Sequence, residues 1–486
     1  MRLFVGHDLG TSGNKAALVD ESGRVLRTHV SSFSLQHPGP GQAEQDPADW
    51  WAAVCEGTRA VAAGHEDQVA AITFAGQMLA LVAMDGQGAA VRPALSWLDH
   101  RADEEARGLT RRLGGATVVR AIAGATPTGK DIVAKVAWLA RHEPESHQAA
   151  AFYGDATSYL VACATGRVAL DPTAAGGTGM FHPAKRRWSP TLARLAGFPL
   201  DRMPPVVPST EIAGRLHHAA AESLGLREGT PVAMGMADIP AAAVGSGALL
   251  CGEGHVYLGT SSWVAVTLAE PRHLPRAGIM SVPSAHPSRS LMIAESETAG
   301  VCRDWVGGQL QIRDLDHLAA QAPAGCDGLL FCPWMFGERA PRPDTELRGA
   351  FVGLTLHHTR AHLARAVLEG VALNLRWILE EIDRTGLRQP GLRVIGGGAR
   401  SDLWLRILAD VLGEPVTRIA EPRFAGAFGA AVVGAVAMGA LPDLDSVRDR
   451  VRVDRVFSPE APGRYDAAAR RLRALAPMLS RAARLR

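Results

Sequence analysis

The residues Leu-Gly-Thr-Ser occur twice in this chain, at 9–12 and at 258–261, and each of the four positions is offset by the same 249 residues. Both copies lie between apolar runs. "LFVGHDLGTSGNKAALVDESGRVL" passes from a strand through a Gly-rich turn into a second strand, and "HVYLGTSSWVAVTLAE" does the same. The two copies open the two halves of the chain, as a duplicated domain would. A chain of 486 residues also exceeds the size at which a single core keeps growing. The small-residue stretch "AAAVGSGALLCGEG" (241–254) marks the expected boundary near residue 245, dividing the chain into 1–245 and 246–486. Strand runs such as "VAAITFAG" and "LRVIGGG" alternate with helical ones. The clearest helix is "RAHLARAVLEGVALNLRWILEEID", where Leu363, Val367, Val371, Leu375 and Ile378 recur at helical spacing. The pattern predicts α/β layers.

Several function classes fall away. Lys plus Arg is 51 against 49 for Asp plus Glu, so no global field recruits nucleic acid or an anionic membrane. The C-terminal "RRLRALAPMLSRAARLR" reads as a surface helix with a solvated face. Six cysteines without a C-x-x-C spacing argue against a disulfide framework and a zinc ribbon, and for a reducing compartment. "AGAFGAAVVGAVAMGALP" (425–442) is short of the roughly 20 apolar residues a membrane span needs, and reads as a buried, closely packed helix. Asp8 interrupts what would be a signal peptide's apolar stretch, so the expected location is the cytoplasm.

The turns suggest the chemistry. In Gly10, Thr11, Ser12 and Gly13, glycines able to take positive φ would let backbone N–H groups converge into an anion nest. Asp8 precedes it and could hold a magnesium ion directly or through water. Gly259, Thr260, Ser261 and Ser262 offer a matching set, so two nests could clamp one polyphosphate between two domains; the alternative is two ordinary hairpin turns. "RVIGGGARSDLW" (393–404) nearly fits G-x-G-x-x-G, but Ser401 stands at the last glycine. With no complete dinucleotide fingerprint, a nicotinamide enzyme is disfavoured. "GATPTGKD" (124–131) fits the phosphate-loop pattern until Asp131 replaces the Ser or Thr that ligates magnesium. The preceding "TVVRAIA" carries Arg120 where a buried strand should be apolar, and this loop reads as a coincidence.

Together "DLGTSG" (8–13), "EQDPADWW" (44–51), "AGQM" (75–78), the Lys135 to Trp138 segment, "LGTSS" (258–262), "GERAPRPDTELRGAFVGL" (337–354) and "IGGGARS" (395–401) resemble the FGGY family of carbohydrate kinases, most closely its xylulokinase-like branch. The resemblance runs nearly end to end. It implies an α/β chain of two actin-like, ribonuclease-H-like ATPase domains with a catalytic cleft between them, transferring the γ-phosphate of ATP to a sugar or polyol hydroxyl with Mg2+. Asp8 is then expected at the metal, and Gly10 to Gly13 with Gly259, Thr260 and Ser261 at the phosphates. Gly397, Gly398 and Ala399 are expected at the nucleotide, and Asp238 as the catalytic base. Gln77, Met78, Leu79, Trp97, Asp99, Arg101, Asp238 and Ile239 are expected at the sugar, with a homodimer possible.

Four positions depart from the xylulokinase pattern. Leu79 stands where that branch has His, Ile239 where it has Asn, and "WLDHR" (97–101), with Leu98 and His100, where it has "WNDGR". Each lost hydrogen bond to a buried hydroxyl ordinarily costs on the order of 1 kcal/mol, so the pocket is expected to differ from a standard D-xylulose pocket. A sugar-sensing pseudokinase and an actin-like filament or chaperone ATPase share the fold. Intact Asp8 and Asp238 oppose the first, and the "GER…RGxFxGL" segment the second.

Overall fold

The structure, a computed structural model, describes residues 1–123 and 126–485. Its first sheet contains β1 (Leu3–Leu9), β2 (Gly13–Asp20), β3 (Val25–Ser32), β4 (Val69–Gly76), β5 (Ile212–Arg215) and β6 (Pro231–Ala237), in the order β5-β6-β4-β1-β2-β3. Its second contains β7 (Gly254–Leu258), β8 (Ser262–Leu268), β9 (Met280–Pro283), β10 (Ser290–Ser296), β11 (Leu392–Ile395), β12 (Val416–Ile419) and β13 (Val453–Phe457), in the order β9-β10-β8-β7-β11-β12-β13.

The two sheets share a topology. In the first, β3-β2-β1 is an antiparallel meander, β1-β4-β6 are parallel, and β5 closes the edge antiparallel. In the second, β10-β8-β7 repeats the meander, β7-β11-β12 the parallel run and β13 the antiparallel edge, with β9 added outside. The duplication first seen in four residues therefore extends over whole sheets. The edge strands differ in origin, since β5 precedes its partner in the chain and β13 follows its own.

The helices that position the site are α1 (Pro47–Ala62), α2 (Ala116–Ala123), α3 (Ile132–His142), α4 (Ala156–Thr165), α5 (Pro172–Gly177), α6 (Asp238–Ser246), α7 (Arg360–Asp383), α8 (Asp402–Leu412), α9 (Ala425–Ala437) and α10 (Asp466–Ala483). Helix α7 spans the whole expected stretch and buries Val367, Val371, Leu375 and Ile378, while Leu363 is half-buried. Helix α9 is the small-residue segment read as a packed helix, and it is buried from Ala425 to Ala435. Its apolar side chains Ala427, Phe428, Val432 and Val433 share a cluster with Phe4, Ala17, Val19 and Ala71 of the first sheet. Helix α6 lies between the two sheets, with Ala241 and Val244 in that cluster and Ile239, Ala242 and Ala243 in one with Trp263, Ile293 and Ile395 of the second. Each half thus lends a helix to the other's sheet. The two helices cross where glycine is required: a Cβ on Gly245 would lie 1.8 Å from Ala425 O, and one on Gly429 2.1 Å from Ala241 O.

Helix α10 lies at the surface with Ala469, Leu472 and Ala476 turned inward, as its arginine pattern predicts. No helix among the described residues is long and apolar enough to cross a membrane.

Candidate active site

Strands β1 and β2 place Asp8 opposite Lys15 in register, and Lys15 Nζ donates to Asp8 Oδ2 at 2.9 Å. Burial works against the ammonium, but Asp8, Tyr257 and Asp238 outweigh it and hold the Lys15 pKa above its usual value. Asp8 also lies against the start of α9, where a Cβ on Gly426 would meet its carboxyl carbon at 2.6 Å. The positive end of that helix favours an anion there.

Asp238 opens α6 at the end of β6. Its Oδ1 accepts from Ile239 N at 2.9 Å and from Met78 N at 3.3 Å. Both bonds fall on one oxygen, which leaves Oδ2 as the atom to carry a proton. Desolvation, reinforced by the Asp8 charge, raises the Asp238 carboxyl to about 7; its two backbone bonds and Lys15 pull the other way. A carboxyl with such a value is matched to accept a proton near neutrality.

The two turns sit at the tips of their hairpins. Gly10 N donates to Gly13 O and Gly259 N to Ser261 O, each at 3.0 Å. No protein acceptor among the described residues takes the N–H of Thr11, Ser12, Thr260 or Ser261. The expected reason for the glycines is corrected, because none of Gly10, Gly13 and Gly259 has a positive φ. Close approach fixes two of them. A Cβ on Gly13 would lie 2.4 Å from Ser31 O, and one on Gly259 2.2 Å from the Tyr257 ring. Gly396 does take φ 93°, and a Cβ there would meet Leu258 O at 2.5 Å, so the glycine run seats the second hairpin. Gly397 faces open space and Gly398 packs on Leu258, whereas Ala399 is fully buried and offers no surface to a ligand.

The expected sugar residues divide. Gln77 Nε2 donates to Gln45 Oε1 at 2.7 Å, Gln45 Nε2 to Thr11 O at 2.7 Å, and Trp97 Nε1 to Thr11 Oγ1 at 2.8 Å. Gln77 Oε1 remains a buried acceptor without a partner among the described residues. Leu79 adopts φ 60° and faces Gly177, with Met78 beside it. Its carbonyl, like that of Ser96, accepts from the buried Lys135 Nζ, at 2.7 and 2.8 Å.

Asp99 and Arg101 have a different role from the one expected. Asp99 is fully buried and accepts from Ala43 N and Arg101 N, and its carboxylate pairs with the Arg101 guanidinium, which also pairs with Glu44. They brace the loop, and their charges are spent largely on each other and on Glu44. Ile239 is 3% exposed among Trp263, Ile293 and Ile395, so this departure is an interior contact and not a lost sugar contact. His100 is exposed, 3.5 Å from Asp103.

The phosphate-loop look-alike has another use. Its first residues, Gly124 and Ala125, lie outside the described residues. The segment before it is the helix α2, where a P-loop needs a strand. Lys130 from this loop reaches the second sheet's side of the cleft, where Nζ donates to Glu297 at 3.2 Å. Arg339 of the "GER" segment also bonds Glu297, at 3.1 Å, and pairs with Glu295. Lys130 and Arg339 both lie over the Trp97 ring, 5.7 and 5.9 Å from its centroid. Glu338 beside them is buried, its oxygens filled by Ser296, Asn374, Glu297 N and Arg339 N; burial raises its pKa to about 7. Lys15 and the Lys130–Glu297 pair were not identified from sequence, because a strand register and a contact 167 residues apart leave no local signal.

Two sheets of one topology that bring Asp8, Lys15 and Asp238 together beside two turns with unclaimed N–H groups fit an enzyme of the α/β class. Comparison with known proteins sharpens this. Residues 3–245 match the N-terminal domain of the FGGY family of carbohydrate kinases, and residues 254–438 match its C-terminal domain. Xylulose kinase of Escherichia coli (strain K12) is 31% identical over 463 residues, 94% of this chain and 95% of that one. Gluconokinase of Bacillus subtilis (strain 168) is 27% identical over 470 residues, 92% and 90% of the two chains. The crystal structure of xylulose kinase from Rhodospirillum rubrum superposes with a TM-score of 0.87 at 31% identity, covering 99% of this chain and 100% of the other. The chain therefore belongs to the FGGY family of carbohydrate kinases, and with it to the actin-like, ribonuclease-H-like fold and to the ATP-dependent sugar kinases.

Proposed function

We propose that the protein transfers the γ-phosphate of ATP to a hydroxyl of a ketopentose, D-xylulose first among them, in the cleft between units 1–245 and 246–486. The reading is carried by Asp238, whose Oδ1 accepts from two backbone N–H groups while its carboxyl is raised to about 7 beside Asp8 and Lys15. Asp238 orients the acceptor hydroxyl and takes its proton as the phosphoryl group leaves ATP. The unclaimed N–H groups of Thr11, Ser12, Thr260 and Ser261 receive phosphate oxygens, and Gly397 and Gly398 adjoin the nucleotide.

Asp8 suits a magnesium ion that arrives with the phosphates. One carboxylate with several waters is the usual protein share for that ion, no cluster of three ligating side chains exists among the described residues, and Lys15 already occupies Oδ2. When bound, the ion neutralises charge on the phosphates. Trp97 and Gln77 face the sugar, with Gln77 Oε1 accepting from a hydroxyl.

A related sugar or polyol is the second reading, favoured by Leu79, which lines the pocket with an apolar side chain beside Gly177. Coupled ADP release over a panel of ketoses, aldoses, sugar acids and polyols tests both. Asp238→Ala should abolish transfer while leaving ATP affinity intact, and unchanged turnover in that variant would discard the assignment.

A further inference from the structure

Asp238 begins a helix, but its direction is set one peptide earlier. Strand β6 breaks its ladder just before: the register with β4 shifts between Ala233 and Met236 and resumes at Met236–Ala75 and Ala237–Gly76, and Gly235 takes φ +75° so closely against Phe74 O that a Cβ would lie 1.9 Å away. On the other side β5 pairs with Pro231, Val232 and Ala233 only. The peptide unit joining Met236 to Ala237 is therefore past the reach of β5.

Two threonines serve it. Met236 O accepts from Thr157 Oγ1 at 3.2 Å, and Ala237 N donates to Thr173 Oγ1 at 2.9 Å. A hydroxyl can donate in one place and accept in the other, so both polar groups of one peptide unit are held. Each threonine is the second residue of a helix capped by an aspartate, in the pattern Asp-x-Thr. Asp155 Oδ1 accepts from Ser158 N and Oγ, both at 2.8 Å, at the start of α4. Asp171 accepts from Thr173 N at 2.6 Å and Ala174 N at 3.3 Å at the start of α5. Thr157 and Thr173 are fully buried, so neither can touch a substrate. Thr157 is seated further by Gly76, where a Cβ would meet its Oγ1 at 2.7 Å.

We infer that Thr157 and Thr173 clamp the Met236–Ala237 peptide so that Asp238 enters the cleft in one orientation, making both threonines positioning residues for phosphoryl transfer. The inference rests on the reading of Asp238 as the base. A turn of this peptide would swing the Asp238 carboxylate on its backbone, and Met78 N, at 3.3 Å, holds it only loosely against that motion. Such misplacement raises the barrier without altering how ATP binds.

The test uses the full chain with Thr157→Val, Thr173→Val and the two Ser variants. Coupled ADP release gives kcat and KM, titration calorimetry gives ATP affinity, and a thermal melt follows folding. Valine keeps the shape and removes the hydroxyl. Each Val variant should lose about tenfold in kcat and the double variant on the order of a hundredfold, since a displacement of about 1 Å can cost that much. KM for ATP and its affinity should stay within about twofold, a change of no more than roughly 0.4 kcal/mol. Serine, which keeps the hydroxyl, should restore kcat. If Ser and Val lose alike, or if Val variants match the wild type while Asp238→Ala is dead, the clamp is overturned and the base assignment stands. An active Asp238→Ala overturns the assignment itself and the clamp with it.

Discussion

The two hairpins that reveal the duplication differ in chemistry at the cross-strand pair just outside the one that closes the turn. In the first, the residue before Leu9 is Asp8, and its cross-strand partner is Lys15. In the second, the residue before Leu258 is Tyr257, and its partner is Trp263. The turns differ by one residue, with Leu9 facing Asn14 but Leu258 facing Ser262, so Trp263 stands where Lys15 does. One copy carries an ion pair at 2.9 Å, and the other a stacked aromatic pair with centroids 3.9 Å apart and planes 6° from parallel. The same backbone thus holds charge in one lobe and a flat apolar surface in the other. Tyr257 lies within electrostatic reach of Lys15, Asp8 and Asp238, so the aromatic side forms a low-dielectric wall for the charged one. Lost water strengthens every charge interaction beside it.

Lys15→Met removes the charge from the first hairpin and should have the largest effect. Asp8 and Asp238 then face each other without a cation, and a developing phosphate charge loses a fixed one. A fall in kcat of about 10² to 10³, or roughly 3–4 kcal/mol, is expected. Lys15 is one of the groups that lower the Asp238 carboxyl, so the acid limb of the pH profile should also move upward. Steady-state kinetics from pH 5 to about 9 would check both effects.

Trp263→Ala acts on the other hairpin and should read out as stability. The ring is 9% exposed and stacked on Tyr257. Its loss should cost about 3 kcal/mol, seen as a lower urea midpoint. A large kcat loss with unchanged stability would mean that the aromatic pair is itself part of the chemistry.

The unmodified enzyme gives a third measure. Asp238 takes its proton from the sugar only when ionised, so kcat/KM at sub-saturating ATP should fall as pH drops through about 7. Its effect on stability has the opposite sense. A carboxyl raised from 3.8 binds more protons folded than unfolded between that value and about 7, so its contribution to stability declines as pH rises through that window. A limb near 4 would show that Asp238 is not desolvated in solution.

The duplication was legible because Leu-Gly-Thr-Ser is local and its offset constant, and α9 because its small residues leave no other packing. Asp8 and Asp238 were found through motif, and the fold brings both within electrostatic reach of Lys15. Lys15 was missed because its role depends on facing Asp8 across a register, and alternation alone does not reveal which strand residue faces which. The pairing of Asp99 with Arg101 was hidden for a related reason: a polar pair inside a sugar-kinase motif resembles ligand contacts until the fold shows the two facing each other. Ile239 followed the same pattern, a pocket position by resemblance and a core position by packing.

The smallest expected effect lies where the lobes meet outside both hairpins. Lys130→Met removes the bond to Glu297 and leaves Arg339 on Trp97, so the mouth of the pocket should loosen without disturbing Asp8 or Asp238. The Lys130 and Glu297 side chains are 24% and 13% exposed, so the pair is partly screened and should contribute about 1 kcal/mol at most. KM for the sugar should rise about fivefold with kcat nearly unchanged, as uniform binding would predict. Glu297→Gln should act in the same direction, and the double variant should lose less than the sum of the two, because both remove one contact. Full additivity would show that Lys130 and Glu297 act separately, and that the contact between the lobes at this point contributes nothing to holding the sugar.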